Sequence, residues 1–280
     1  MKKNLKYLEI KKYQNHKKIF RIKNNSVLSF FEQLLKKTNN FGLECSVKIE
    51  NTNILPARFL VCYSQKKYNT SIAHFFKKLN SKDKHFNYNF FKKFYNFVKK
   101  IKPEKIKELI AAIDARENFN DSRVKYYLST EGFPELFNQI LKVHGYNKNI
   151  ADLVFNSNLI IGFDFCFNNI INMKIYLPLD SSYLNNFIIQ KKLGRIFSKK
   201  INRLISKSDK IYLSFAGNNF KRIITFYPKN PKSFIFSLKN KKLNEIYKKI
   251  KFNSQRYISL SLKEEEINKN CLKNINLYYA

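Results

Sequence analysis

Basic, acidic and tyrosine side chains fall at every second position in several short stretches of this chain, opposite runs that are almost wholly apolar. In 158–167, Gly162 and Asp164 alternate with Leu159, Ile161, Phe163, Phe165 and Phe167. In 172–177, Lys174 and Tyr176 alternate with Met173, Ile175 and Leu177. Arg123, Lys125, Tyr127 and Ser129 alternate with Val124, Tyr126 and Leu128, and Arg58 alternates with Phe59 and Val61. Glu44, Ser46, Lys48 and Glu50 alternate with Cys45, Val47 and Ile49. Successive strand residues point to opposite faces, so each stretch reads as an amphipathic strand. The polar faces could hold an anion against Lys and Arg, and set phenol rings beside a cation.

The elements that would position these faces repeat. Residues 4–22 read as a Lys-rich helix with Leu5, Leu8, Tyr13 and Ile19 inward. Ser26 caps a second helix over 27–37, with Leu28, Phe31 and Leu34 at helical spacing. Strands at 44–50 and 58–63 flank a turn at 51–53. Helices at 71–79 and 88–101, the second ended by Pro103, precede strands at 108–116 and 122–130. Helical sequence at 133–143 and 149–155 leads into the hairpin 158–177. Helical sequence over 182–206 precedes strands at 210–215 and 222–227, and 233–251 precedes strands at 255–262 and 273–279. Five strand pairs, each behind helical sequence, form an internal repeat of roughly fifty residues. Ten antiparallel strands, each with one apolar face, can close into a barrel with helices outside and the polar faces lining a lumen. The expectation is one α+β domain spanning 1–280.

Composition narrows the class. The 280 residues are 44% hydrophobic and 16% aromatic, enough for a sizeable core, while six Gly and six Pro exclude collagen-like and low-complexity chains. No apolar run reaches the roughly 18 residues of a membrane helix, and the N-terminus lacks the apolar core of a signal peptide. A cytoplasmic protein with no membrane partner is expected. Cys45, Cys62, Cys166 and Cys271 are scattered without a CxxC pair, which argues against a disulfide framework or zinc site. His16, His74, His85 and His144 lack metal-ligand spacing, and most read as solvated surface residues. The net charge of +34 attracts polyanions, small diphosphates or anionic peptides. The lysines are spread along the whole chain among Asn, Ile, Phe and Tyr, so the bias is compositional, and no nucleic-acid partner is expected.

Five stretches together resemble the cyanobactin-type peptide prenyltransferases, built on the ABBA prenyltransferase barrel of five ααββ repeats. They are 45–60 (CSVKIENTNILPARFL), 112–128 (AIDARENFNDSRVKYYL), Phe133-Pro134-Glu135, 159–176 (LIIGFDFCFNNIINMKIY) and 274–279 (NINLYY). The resemblance implies transfer of a C5 or C10 isoprenoid from dimethylallyl or geranyl diphosphate to a side chain, Tyr or Trp, of a cyclic or linear peptide. It implies Mg²⁺ held through the diphosphate rather than by the protein, and a monomer.

Within that resemblance, Arg58, Lys125 and Lys174 are expected to converge on the diphosphate, with Tyr127 and Tyr176 beside them and Arg123 a further candidate. Ionising an allylic diphosphate needs cations on the leaving group and an electron-rich, dry wall around the carbocation. Tyr212, Tyr227 and Tyr278 are expected to shield the cation and wall the prenyl pocket. The bulk of Tyr212 favours the C5 donor, and Ser259, where relatives carry a large aromatic, widens the pocket. Glu44 matches the acidic residue that contacts the acceptor and could orient or deprotonate it as the catalytic base; Glu50 is in phase but nearer the turn. Asp114 with Arg116 reads as a structural pair, and Asp164 as satisfying polar groups of the barrel. The alternatives are a small-molecule aromatic prenyltransferase of the same fold, a basic RNA-associated protein, or an inactive barrel that binds a partner.

Overall fold

A computed structural model describes residues 2–64, 69–83, 86–131, 158–216, 221–250 and 257–280. Helices α1 (Lys2–Ile19) and α2 (Ser26–Lys37) precede strands β1 (Gly42–Glu50) and β2 (Asn53–Tyr63). Helices α3 (Asn69–Lys82) and α4 (Tyr88–Lys100) precede β3 (Ile106–Asp114) and β4 (Arg123–Glu131). The hairpin β5 (Asn158–Cys166) and β6 (Ile171–Leu179) is followed by α5 (Ser181–Leu184), α6 (Phe187–Ile196) and α7 (Lys199–Ile205). Strands β7 (Ser208–Ala216) and β8 (Lys221–Pro228) come next, then α8 (Pro231–Ser237) and α9 (Lys241–Lys249). Strand β9 (Ile258–Lys263), α10 (Glu264–Asn268) and β10 (Asn274–Tyr279) close the chain.

The strands form a closed barrel in the order β1-β10-β9-β8-β7-β6-β5-β4-β3-β2. This is the α+β barrel that the repeated pattern predicts. The expected helices at 133–143 and 149–155, the Phe133-Pro134-Glu135 motif, His85 and His144 lie outside the described residues.

Two compact units divide the chain. In the first, α1–α4 cover the apolar faces of strands β2 to β5. Phe76 stacks on Phe91 with centroids 4.1 Å apart and planes 7° from parallel, and meets Phe165 edge-on at 5.4 Å. Phe163 sits 4.8 Å from both Phe90 and Phe94. The Phe-rich face of β5 is therefore an outer wall for helices, and each buried ring contributes about 1.5–3 kcal/mol.

Helix α1 departs from its apolar reading. Leu8 and Ile19 are exposed, and the buried stripe is Glu9, Tyr13 and His16. Glu9 accepts from the Leu43 amide at 3.0 Å, and His16 Nε2 lies 2.7 Å from the Pro56 carbonyl, so α1 is fastened to β1 and β2 by polar groups. His16 is thus buried rather than solvated. Burial pulls its imidazole down to about 4 despite the Pro56 carbonyl, which keeps the ring neutral. The second helix is capped by Asn25, whose side chain accepts from the Leu28 amide, and not by Ser26. Leu28, Phe31 and Leu34 are buried as their spacing predicts.

In the second unit, the apolar residues Leu213, Ile224, Phe226, Leu260, Leu262 and Leu277 are buried. Asn186, Asn230 and Asn240 cap α6, α8 and α9. Part of the Asn-rich bias is thus N-cap chemistry, since a short amide side chain satisfies the first free helix amides. Helix α10 was not foreseen. Its Glu266 accepts from the Lys273 and Asn274 amides at 2.9 and 2.8 Å and fixes the start of β10.

Candidate active site

In the first unit, the polar faces of β2, β3, β4 and β5 assemble one charged cluster. Register puts Arg58 on β2 opposite Asp114 on β3, and Asp114 opposite Arg123 on β4. Arg58 Nε is 3.4 Å from Asp114 Oδ2. Arg116, just past the end of β3, folds back so that its Nη2 donates to Oδ2 and its Nε lies beside Oδ1, both at 2.9 Å. Burial pushes the Asp114 carboxyl up, but Arg58, Lys125 and Arg116 outweigh it and hold the group below its ordinary value. Lys125 Nζ is 4.0 Å from Asp164 Oδ2, and Tyr127 donates to Asp164 Oδ1.

Gly162 makes that last bond possible. A Cβ at this position would fall inside contact distance of the Tyr126 carbonyl oxygen and Tyr127 Cδ1, and 2.6 Å from Tyr127 Cα. The phenol ring lies across the glycine, and its hydroxyl reaches Asp164, the next residue on the same face of β5. Arg58, Asp114 and Asp164 are all buried. Two carboxylates thus face Arg58, Arg116 and Lys125, and Arg123, opposite Asp114 in register, adds a further cation to the face.

Arg58 and Lys125 are expected as direct anion ligands, and Arg116 as the structural partner of Asp114 that it proves to be; the structure adds that Arg58 and Lys125 also face carboxylates. Asp114 and Asp164 are its organising centres, and Arg116 belongs to the same cluster. Arg123 is half-buried on the same strand face as Lys125. Glu44 is buried on β1. The nearby Cys62 thiol is pushed well above its ordinary value by burial, then by Glu108 and Glu44, which makes this an acidic corner. Lys48 donates to Glu50 at 2.7 Å, leaving Glu50 engaged at the turn.

In the second unit, Lys174 pairs in register with Ala216 and Tyr176 with Ser214. Tyr212 and Tyr227 have ring centroids 5.2 Å apart, and Tyr257 adds a third ring 5.7 Å from Tyr227. Lys210 was missed. Its ammonium lies 4.6 Å from the centre of the Tyr212 ring and 5.6 Å from that of Tyr227. The aromatic faces expected to await a carbocation already carry a cation. Alternation could have found it: of the six Lys-X-Tyr triplets in the sequence, those at 125–127, 174–176 and 210–212 fall in the stretches read as strands. Ser259 is buried and pairs with Tyr278. Thr225 and Ser261 share a hydroxyl contact at 2.6 Å, so small polar residues floor this region.

Asp114 and Asp164 are turned to cations, and among the described residues no three His, Cys, Asp or Glu side chains gather to hold a metal ion. A resident divalent cation does not fit these residues.

Comparison with solved structures defines the class of fold. The 5-dimethylallyltryptophan synthase from Streptomyces coelicolor matches with a TM-score of 0.65 at 8% identity, covering 95% of this chain and 94% of that one. NotF prenyltransferase matches with a TM-score of 0.50 at 13% identity, over 85% and 80% of the two chains. The barrel is an ABBA prenyltransferase fold. Residues 3–280 match a family of unknown function (DUF5838), and the chain belongs to that family. No curated protein matches it. No helix among the described residues is long and apolar enough to cross a membrane.

Proposed function

We propose that the protein is a prenyltransferase moving a dimethylallyl or geranyl group from its allylic diphosphate to a Tyr or Trp side chain of a cyclic or linear peptide. The observation that carries the reading is the Arg58–Asp114–Arg116 and Lys125–Asp164–Tyr127 cluster, on the polar faces of β2 to β5 in a barrel similar to those of a 5-dimethylallyltryptophan synthase and of NotF prenyltransferase. In this reading Arg58 and Lys125 take the diphosphate oxygens, Arg as a planar fork and Lys as a point charge. Asp114 and Asp164 hold them in place before the donor arrives, so little reorganisation remains when charge develops on the leaving group. Mg²⁺ would come with the donor as part of the substrate, where it would offset charge on the leaving diphosphate. Lys174 and Tyr176, on β6 in the second unit, are proposed as diphosphate contacts.

Tyr212, Tyr227 and Tyr278 are proposed to wall the prenyl pocket, with Ser259 leaving room. Lys210 must leave the Tyr212 and Tyr227 faces for a carbocation to use them. Glu44 is proposed as the residue that orients or deprotonates the acceptor.

A second reading takes free tryptophan or another small aromatic as acceptor, and the name of the Streptomyces coelicolor relative favours it. Both are tested by incubating the protein with Mg²⁺, each diphosphate, and a panel of cyclic peptides, linear peptides, free tryptophan and phenols. Mass spectrometry should find one added prenyl group on a Tyr- or Trp-bearing peptide. Addition to free aromatics alone would overturn the peptide assignment.

A further inference from the structure

Between α2 and α3 lies a groove of about 270 Å³, lined by Phe30, Leu34 and Phe75 with Gln33, Lys37, His74 and Lys78 among its polar groups. It lies on the helices, away from the charged strand face. The cations of that face are set against carboxylates, as are Lys12 with Glu9 and Lys17 with Glu32. Other lysines, such as Lys6 and Lys229, also meet only neutral acceptors among the described residues; the groove is set apart because two such ammoniums, one from each helix, flank one apolar cavity. Lys37 reaches His74 Nε2 at 3.5 Å, and Lys78 donates to the Gln33 side-chain oxygen Oε1. Neither ammonium faces a carboxylate among the described residues, and no acidic residue lines the groove.

Neutral acceptors solvate an ammonium without cancelling its charge. Two uncancelled cations, one from each helix, stand over an aromatic and aliphatic floor. We propose that this groove binds a small organic phosphate whose apolar body rests on Phe30 and Phe75 and whose phosphate lies between Lys37 and Lys78. The volume suits a single small ring or short chain. Inorganic phosphate would leave the floor wet. The proposal stands apart from prenyl transfer and does not depend on it.

His74 supplies a local reporter. Burial and then the charges of Lys37 on α2 and of Lys78 and Lys77 on α3 lower its imidazole from its ordinary value. A phosphate between the lysines would offset that field and raise the midpoint, so ligand binding and protonation of His74 should be linked. The experiment follows the imidazole protons of the full chain by NMR against pH, with His74 assigned through His74→Gln. Phenyl phosphate should move the His74 midpoint upward by about one pH unit, and inorganic phosphate less. In the Lys37→Gln, Lys78→Gln double variant, apparent affinity should fall about tenfold or more. The buried His16 resonance, unchanged, would show that the fold persists. An unmoved His74 midpoint would overturn the proposal, as would an equal response in the double variant. A response to short single-stranded RNA but not to phenyl phosphate would overturn it in favour of a nucleic-acid surface.

Discussion

Tyr127 on β4 lies across Gly162 on β5 and donates its hydroxyl to Asp164, two residues further along the same strand face. The glycine supplies the space, the phenol spans it, and the carboxylate that receives the phenol also faces Lys125 at 4.0 Å. A position with no side chain thus governs where a cation stands. The wider cluster follows the same logic, with Asp114 setting Arg58 and Arg116 as Asp164 sets Lys125.

Gly162→Ala should therefore disturb both stability and site. The added methyl meets the backbone carbonyl of Tyr126 as well as the Tyr127 ring, and backbone cannot turn aside as a side-chain tip can. Overpacking of this kind costs about 1–3 kcal/mol. Urea unfolding should show that loss, and Tyr127→Ala in the same background should recover part of it.

Asp114→Asn should be more damaging than removal of either partner arginine. It leaves Arg58 and Arg116 buried or half-buried with their shared carboxylate gone, and breaking one side of a buried pair costs about 3–5 kcal/mol. Arg58→Ala still leaves Asp114 held by Arg116. Calorimetric midpoints should rank wild type, then Arg58→Ala, then Asp114→Asn.

Acid should weaken the fold in two windows. Between about pH 6.5 and 4 the unfolded chain takes up a proton that buried His16 refuses, so stability is full above this range and falls as pH drops through it. That linkage is worth about 3 kcal/mol at the acid end. Asp114, held below its ordinary value, adds a loss only below about pH 4. His16→Gln keeps a donor for the Pro56 carbonyl without a titrating ring. Its stability should vary little between about pH 7 and 5, and an unchanged slope would remove His16 from the account.

Tyr212→Gly should raise use of the geranyl donor relative to dimethylallyl, by roughly tenfold if the ring closes the pocket end. It also takes away one of the two rings that hold Lys210. Product ratios from mixed-donor incubations measure the change, and an unaltered ratio would separate Tyr212 from donor length.

The barrel was legible because strands with one apolar face leave a strict period of two, visible in Phe163 and Phe165 against Gly162 and Asp164. The polar inward stripe of α1 was not, since apolar periodicity cannot reveal that Glu9 and His16 bond to strand backbone. Arg58 and Lys125 could be placed on their strand face from alternation alone. Their carboxylate partners depend on cross-strand register, which alternation does not specify; Arg58 faces Asp114 only because β2 and β3 pair as they do. Lys210 was hidden differently, by its place in one Lys-rich stretch among many, until the rings of Tyr212 and Tyr227 marked it.

The central claim is that Lys125, fixed by Asp164, helps a diphosphate leave. The direct measurement is the rate of prenyl transfer to a Tyr- or Trp-bearing peptide by wild type and Lys125→Met, with thermal midpoints recorded in parallel. Wild type should transfer one prenyl group, and Lys125→Met should be slower by about a hundredfold or more while remaining folded. Equal rates in a folded variant, or no transfer by wild type to any peptide or free aromatic, would contradict the account.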